Sequence, residues 1–168
     1  MRSISDICPF ETSFDIVHFP DARIIGLKTR SGGSLGNTAP ALWDKVFSSG
    51  AIEELLKLPS IADKATFGWT CDYDPQTDTF AYWVCVLTPA QTPVPAGFDH
   101  LDLIQTDCAY GLFGEDTMTT ASRAREAGYE TNWKLCPWNA EMYLAAEEDN
   151  PPKICGTPWH WLVPVIKT

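Results

Sequence analysis

At 168 residues, 45% of them hydrophobic and 20% charged, the chain is sized for one folded unit and is too apolar to be disordered. A formal net charge of -10 repels a phosphate backbone, which argues against direct nucleic-acid contact. No window approaches the run of about 18 apolar residues that a membrane span needs, and Met1 to Phe10 holds no apolar signal core, so the chain reads as cytoplasmic with no membrane partner.

Phe14 to Lys28 is predicted as the first strand, in two extended pieces broken at Phe19-Pro20-Asp21, because proline cannot donate to a central ladder. Ser31-Gly32-Gly33-Ser34-Leu35-Gly36-Asn37 is turn chemistry, and Asn37 or Thr38 can cap a helix with Pro40 in its first turn. Leu42, Trp43, Val46 and Phe47 keep helical spacing, as do Ile52, Leu55 and Leu56, with Ser48 to Gly50 breaking the helix in two. Thr66 to Tyr73 alternates Phe67, Trp69, Cys71 and Tyr73 on one face. It pairs with Thr79 to Leu87 through the turn Asp74-Pro75-Gln76-Thr77-Asp78.

Thr88 to Phe98, with Pro89, Pro93, Pro95 and Gly97, reads as a linker between two halves. Beyond it Leu101 to Phe113 is extended, and Asp116 or Thr117 caps a helix through Ala121, Ala124 and Ala127. Trp138 to Leu144 and Trp159 to Val165 are the closing strands. The order strand, helix, strand, strand thus occurs twice, in halves 14–90 and 99–168 that follow an N-terminal extension, 1–13. Two such units about a pseudo-twofold axis would leave a ligand cleft between them.

Period-two alternation puts Asn139, Glu141 and Tyr143 on one face of a strand. A carboxylate there is either part of a solvated face or, inside an apolar cavity, a group that loses hydration and gains from a cationic ligand. Seven Trp, five Tyr and eight Phe can line a pocket for flat or cationic molecules through stacking and cation–π contact. The candidates are Trp69, Tyr110 and Trp161, then Trp43, Tyr82 and Tyr143, each weighed against ordinary packing. In Trp159-His160-Trp161, the alternation that buries both tryptophans turns His160 to the other face, as a surface or second-face residue.

Cys8, Cys71, Cys85, Cys108, Cys136 and Cys155 form no CxxC and have no nearby His pair, and His18 and His100 are isolated. No metal or redox motif is read from them. There is no GxSxG elbow, and no Gly-Lys-Ser/Thr follows Gly32, Gly33 and Gly36, so neither covalent nor nucleotide-dependent catalysis has support. No cofactor is assigned.

The ordered set of segments is similar to the GyrI-like superfamily, also called the bacterial effector-binding domain. They are PDARIIGLKTR from Pro20 to Arg30, FGWTCDYDP from Phe67 to Pro75, FAYWVCVLTP from Phe80 to Pro89 and VPAGF from Val94 to Phe98. Tyr110-Gly111-Leu112-Phe113, Glu141-Met142-Tyr143 and Trp161-Leu162-Val163-Pro164-Val165 complete the set. The resemblance spans roughly Phe14 to Ile166. It implies an α+β fold, a tandem β-α-β-β repeat of the SHS2-like kind, and an aromatic pocket between the halves whose buried carboxylate, at Glu141, receives cationic ligands. The chain departs from the pattern between Glu115 and Trp138, where an alanine-rich helix and Gly128 replace the family's Trp-centred segment.

Only about 13 residues precede the first strand, too few for a helix-turn-helix, so a stand-alone domain is expected rather than a transcription factor. The resemblance implies a small hydrophobic or cationic organic partner, taken up unchanged in multidrug or effector sensing or sequestration; a homodimer is left open. The alternative is a hydrolase similar to those that open cyclopropane-bearing, DNA-alkylating natural products, with Glu141 orienting or deprotonating water. A haem or tetrapyrrole binder, by likeness to the SOUL proteins, is a third reading, with no histidine placed as axial ligand.

Overall fold

In a computed structural model that describes residues 1–6, 13–62, 65–112, 114–143 and 159–168, these patterns become a curled antiparallel sheet flanked by a few helices. Pro20 and Asp21 separate β1 (Asp15–Phe19) from β2 (Ala22–Gly32), and the two do not pair with each other. Helix α1 (Ala39–Ser48) follows a short 3-10 turn. Asn37 Oδ1 accepts the Ala39 amide at 3.1 Å, while the Thr38 hydroxyl donates to the Arg30 carbonyl at 2.8 Å and so ties the helix start to β2. Gly50, at φ 80, makes the break before α2 (Ala51–Leu56), a conformation costly for residues with a Cβ.

The hairpin of β3 (Thr66–Asp74) and β4 (Thr79–Pro89) closes through Asp74, whose carboxylate accepts the Gln76 amide at 2.9 Å and the Thr77 hydroxyl at 2.8 Å. The expected extended piece from Leu101 is two strands, β5 (Asp99–Leu103) and β6 (Thr106–Tyr110); β5 joins β2, and β6 joins β1. Phe113 lies outside the described residues. Asp116 caps α3 (Thr117–Glu126) by accepting the Thr119 amide at 2.7 Å. A three-residue strand, β7 (Tyr129–Thr131), was not anticipated, and β8 (Trp138–Tyr143) and β9 (Trp159–Lys167) follow. Leu144, expected in the penultimate strand, also lies outside the described residues.

The strand order is β1-β6-β9-β8-β3-β4-β2-β5, with β7 added to β9, so β3 and β8 lie at the middle. One face carries the main core, including Phe19, Phe67, Trp69, Tyr110, Trp138, Met142 and Leu162. The rings of Trp69 and Trp138 approach to 4.3 Å between centroids. On the other face Leu42, Trp43, Val46 and Ile52 of α1 and α2 pack on Ile25, Val84 and Val86, while Ala121 and Ala124 of α3 pack on Ala109 and Val163. Each large buried side chain contributes about 1.5–3 kcal/mol relative to exposure. Because α1 and α2 cover β2 and β4 while α3 covers β6, β7 and β9, the central pair β3 and β8 lies between the helices.

One expected face is corrected. Asp72 adopts φ 53 and the β3–β4 register shifts between Cys71 and Asp74, so Tyr73 leaves the Phe67–Trp69 face and is 60% exposed. Among the described residues no helix is long and apolar enough to cross a membrane.

Candidate functional site

Strand register assembles the central strip. Gly68 of β3, Glu141 of β8 and Trp161 of β9 lie side by side, and the next row holds Asn139, Thr70 and Tyr82. Pro40, Trp43 and Asp44, at helical spacing, bring one wall from α1. Together with Asn37, Ala39, Phe80 and Tyr143 they line a cavity of about 660 Å³, within the usual range for small-molecule sites.

A chain of hydrogen bonds runs along this cavity. Trp43 Nε1–H donates to the Tyr82 hydroxyl oxygen at 2.9 Å, and the Tyr82 hydroxyl donates to Glu141 Oε2 at 3.0 Å. Tyr143 donates to the same oxygen at 2.8 Å. The Trp43 ring meets the Tyr143 ring edge-on at 5.2 Å and stacks on Phe47 at 6.1 Å, which fixes the donors in place. Burial, reinforced by the Glu141 charge, pushes the Tyr82 and Tyr143 phenols well above the ordinary tyrosine value, so both act as neutral donors.

Two features follow for Glu141. It is half-buried rather than buried as expected, because β8 presents it at the uncovered strip between the helices. Among the described residues nothing hydrogen-bonds its Oε1, and no Lys, Arg or His pairs with it. No cationic side chain among the described residues lines the cavity either. Among the described residues the carboxylate is held by hydroxyls alone, with no cation to neutralise its charge.

Gly68 makes this geometry fit. A Cβ at that position would overlap the Tyr82 hydroxyl and stand 2.6 Å from Glu141 Oε2. The glycine is required by close approach of side chains rather than by an unusual backbone angle.

Of the seven residues expected at the site, the structure brings together Trp43, Tyr82, Glu141, Tyr143 and Trp161. Trp69 and Tyr110 are elsewhere: each is 0% exposed and packs in the core on the opposite face of the sheet. On β3 the alternation that turns Gly68 and Thr70 toward the cavity turns Trp69 away, against Phe19 and Trp138. Of the two places expected for His160, surface or second face, it takes the second. It is 0% exposed, stacks on Tyr110 at 4.4 Å and has Nδ1 2.9 Å from the Gly111 carbonyl oxygen, because both faces of the sheet are covered there. The Trp159 side chain, Cys8 and Cys155 lie outside the described residues.

The residues not singled out from sequence are Asn37, Ala39, Pro40, Asp44, Thr70 and Phe80. Two signals pointed to them: Pro40 and Asp44 share a helical stripe with Trp43, and Phe80 and Thr70 share strand faces with Tyr82 and Gly68. Among the described residues no group of three His, Cys, Asp or Glu is placed to hold a metal ion.

No family model matches the sequence, and no curated protein does. Solved structures share the fold. SAV2435 bound to tetraphenylphosphonium superposes with a TM-score of 0.60 at 11% identity, over 92% of this chain and 94% of that one. The EcmrR C-terminal domain gives 0.51 at 9% identity, over 94% and 99%. In the EcmrR–DNA complex the match covers 58% of the EcmrR chain. A hydrolase encoded by lin2189 from Listeria innocua gives 0.52 at 12% identity, over 95% and 94%. At these identities the likeness is one of fold.

Proposed function

We propose that this chain is a GyrI-like, bacterial effector-binding domain that takes hydrophobic or cationic organic molecules into the Glu141 cavity. The observation that carries the proposal is a carboxylate on the floor of an aromatic cavity, held by two neutral phenols and facing no cation among the described residues. Such a group gains when a poorly hydrated cation arrives, since the ligand supplies the missing charge and the rings of Trp43, Tyr82, Tyr143 and Trp161 accept its apolar surface. The likeness in fold to SAV2435, solved with tetraphenylphosphonium, supports the same reading.

We read the fold as a tandem β-α-β-β repeat, residues 14–168 forming one domain with halves 14–90 and 99–168. The strand order supports it: exchanging β1 with β5, β2 with β6, β4 with β9 and β3 with β8 reverses the sheet onto itself. The halves then meet at β3 and β8, where the cavity lies. The net charge of -10 supports a domain that does not itself contact DNA.

The fold likeness to a hydrolase favours one alternative. Glu141 Oε1 would orient or deprotonate a water, with Tyr82 and Tyr143 holding the carboxylate from its other oxygen. A thermal-shift screen of lipophilic cations and cyclopropane-bearing alkylators, each hit followed by mass spectrometry, separates the two. A ligand at 100 times its Kd stabilises the fold by about 2.7 kcal/mol. Hits recovered unchanged support binding; a hit that gains the mass of water only with Glu141 intact supports hydrolysis. No stabilisation by any cation contradicts the proposal.

A further inference from the structure

The cavity holds a second carboxylate that a single monocation would leave unused. Asp44 lines it from the α1 wall, whereas Glu141 rises from the sheet floor. Other exposed aspartates of this acidic chain hold a partner, either a cation, as Asp72 with Arg30 at 2.6 Å, Asp102 with Arg23 at 2.6 Å and Asp99 with Lys28 at 3.8 Å, or a hydrogen-bond donor, as Asp21 with the Gln105 amide at 2.8 Å and Asp78 with the Tyr73 hydroxyl at 2.9 Å. Asp44 differs. Among the described residues its side chain takes part in no ion pair and no hydrogen bond, and no Lys, Arg or His lines the cavity with it. Asp44 is exposed at the mouth, while Glu141 is half-buried within.

Two uncompensated carboxylates on different walls of one aromatic cavity match a ligand with two separated positive charges. We propose that Asp44 is a specificity-determining residue that makes the cavity selective for aromatic dications, rather than monocations, in the ligand class assigned above. The inference rests on the reading of the cavity as a cation site. The aromatic body lies among Tyr82, Tyr143 and Trp161 with its first charge near Glu141, and the second charge, on a short arm, reaches Asp44. A volume of about 660 Å³ accommodates a fused three-ring body and such an arm.

Ethidium and propidium test this, because they share one phenanthridinium ring and propidium adds a quaternary ammonium on a propyl arm. Fluorescence titrations would compare both dyes on the wild type, Asp44→Asn, Glu141→Gln and Glu130→Gln. Glu130, an exposed charge on β7, does not line the cavity and controls for the overall negative field. Propidium should bind the wild type more tightly than ethidium, and Asp44→Asn should weaken propidium roughly fivefold more than it weakens ethidium, the gain from one exposed ion pair. Glu130→Gln should leave the ratio unchanged. Equal weakening of both dyes by Asp44→Asn, or the same loss of preference in Glu130→Gln, overturns the inference. If ethidium binds and depends on Glu141 while propidium shows no dependence on Asp44, only the dication claim falls. If neither dye binds the wild type, the cation reading falls and the dication claim with it.

Discussion

Gly68 carries a sharp expectation because its neighbours are so close. It lies across from Glu141 on β8 and Val84 on β4, and a methyl group there would overlap the Tyr82 hydroxyl. Gly68→Ala should therefore displace the phenol from Glu141. A hydrogen bond to a charged acceptor is worth about 1.5–3 kcal/mol, and about 1 kcal/mol more is lost when Trp43 Nε1–H loses its acceptor. Reduced entropy of the unfolded chain returns about 0.4–1 kcal/mol. The net destabilisation expected is about 2–3 kcal/mol, read from urea unfolding followed by tryptophan fluorescence. Tyr82→Phe removes the same hydroxyl, so the double variant should lose clearly less than the sum of the two single losses. Strict additivity, or a Gly68→Ala protein as stable as the wild type, would refute the view that Gly68 exists to seat Tyr82 on Glu141.

Tyr82 and Tyr143 have folded pKa values raised above the unfolded one, so their contribution is present below the ordinary phenol value of about 10 and is lost as pH rises above it. Alkaline unfolding should coincide with their phenolate absorbance, and the Tyr82→Phe/Tyr143→Phe variant should lack that phase; ionisation without unfolding would count against their burial. Trp69→Ala should cost about 3–5 kcal/mol in urea yet leave the affinity of the folded protein for tetraphenylphosphonium unchanged, since Trp69 lies on the far face. Calorimetric titration of that variant, under conditions where it stays folded, checks this. Asp116 is held below the usual carboxylate range by the Thr119 amide, so its cap works at neutral pH and fades as the carboxylate is protonated. Asp116→Ala should lower the urea midpoint at neutral pH, and its difference from the wild type should shrink as acid protonates the Asp116 carboxylate.

Period and punctuation carried much of the architecture. Pro20, Gly50 and the Asp74 turn mark element ends in the sequence because each acts through its own backbone chemistry. Alternation could also place Glu141 and Tyr143 on one face of β8. It could not decide which face of β3 looks into the cavity, because helices cover one side of the sheet and a dense core the other. Trp69 is therefore buried in the core where it was expected at the pocket, while His160 takes the second face, one of its two expected places. Tyr73 was lost to a bulge at Asp72 that no alternation rule reveals. Asp44 was overlooked because an exposed acidic residue in a helix reads as solvated surface until α1 is docked over the strip.

The central claim is that Glu141 selects cations, and the most direct test is a calorimetric titration with tetraphenylphosphonium and with tetraphenylborate, an anion of the same shape. The wild type should bind the phosphonium and not the borate, and Glu141→Gln should weaken the phosphonium by roughly thirtyfold, about 2 kcal/mol. Equal binding of both ions, or a phosphonium affinity unchanged in Glu141→Gln, would contradict the claim.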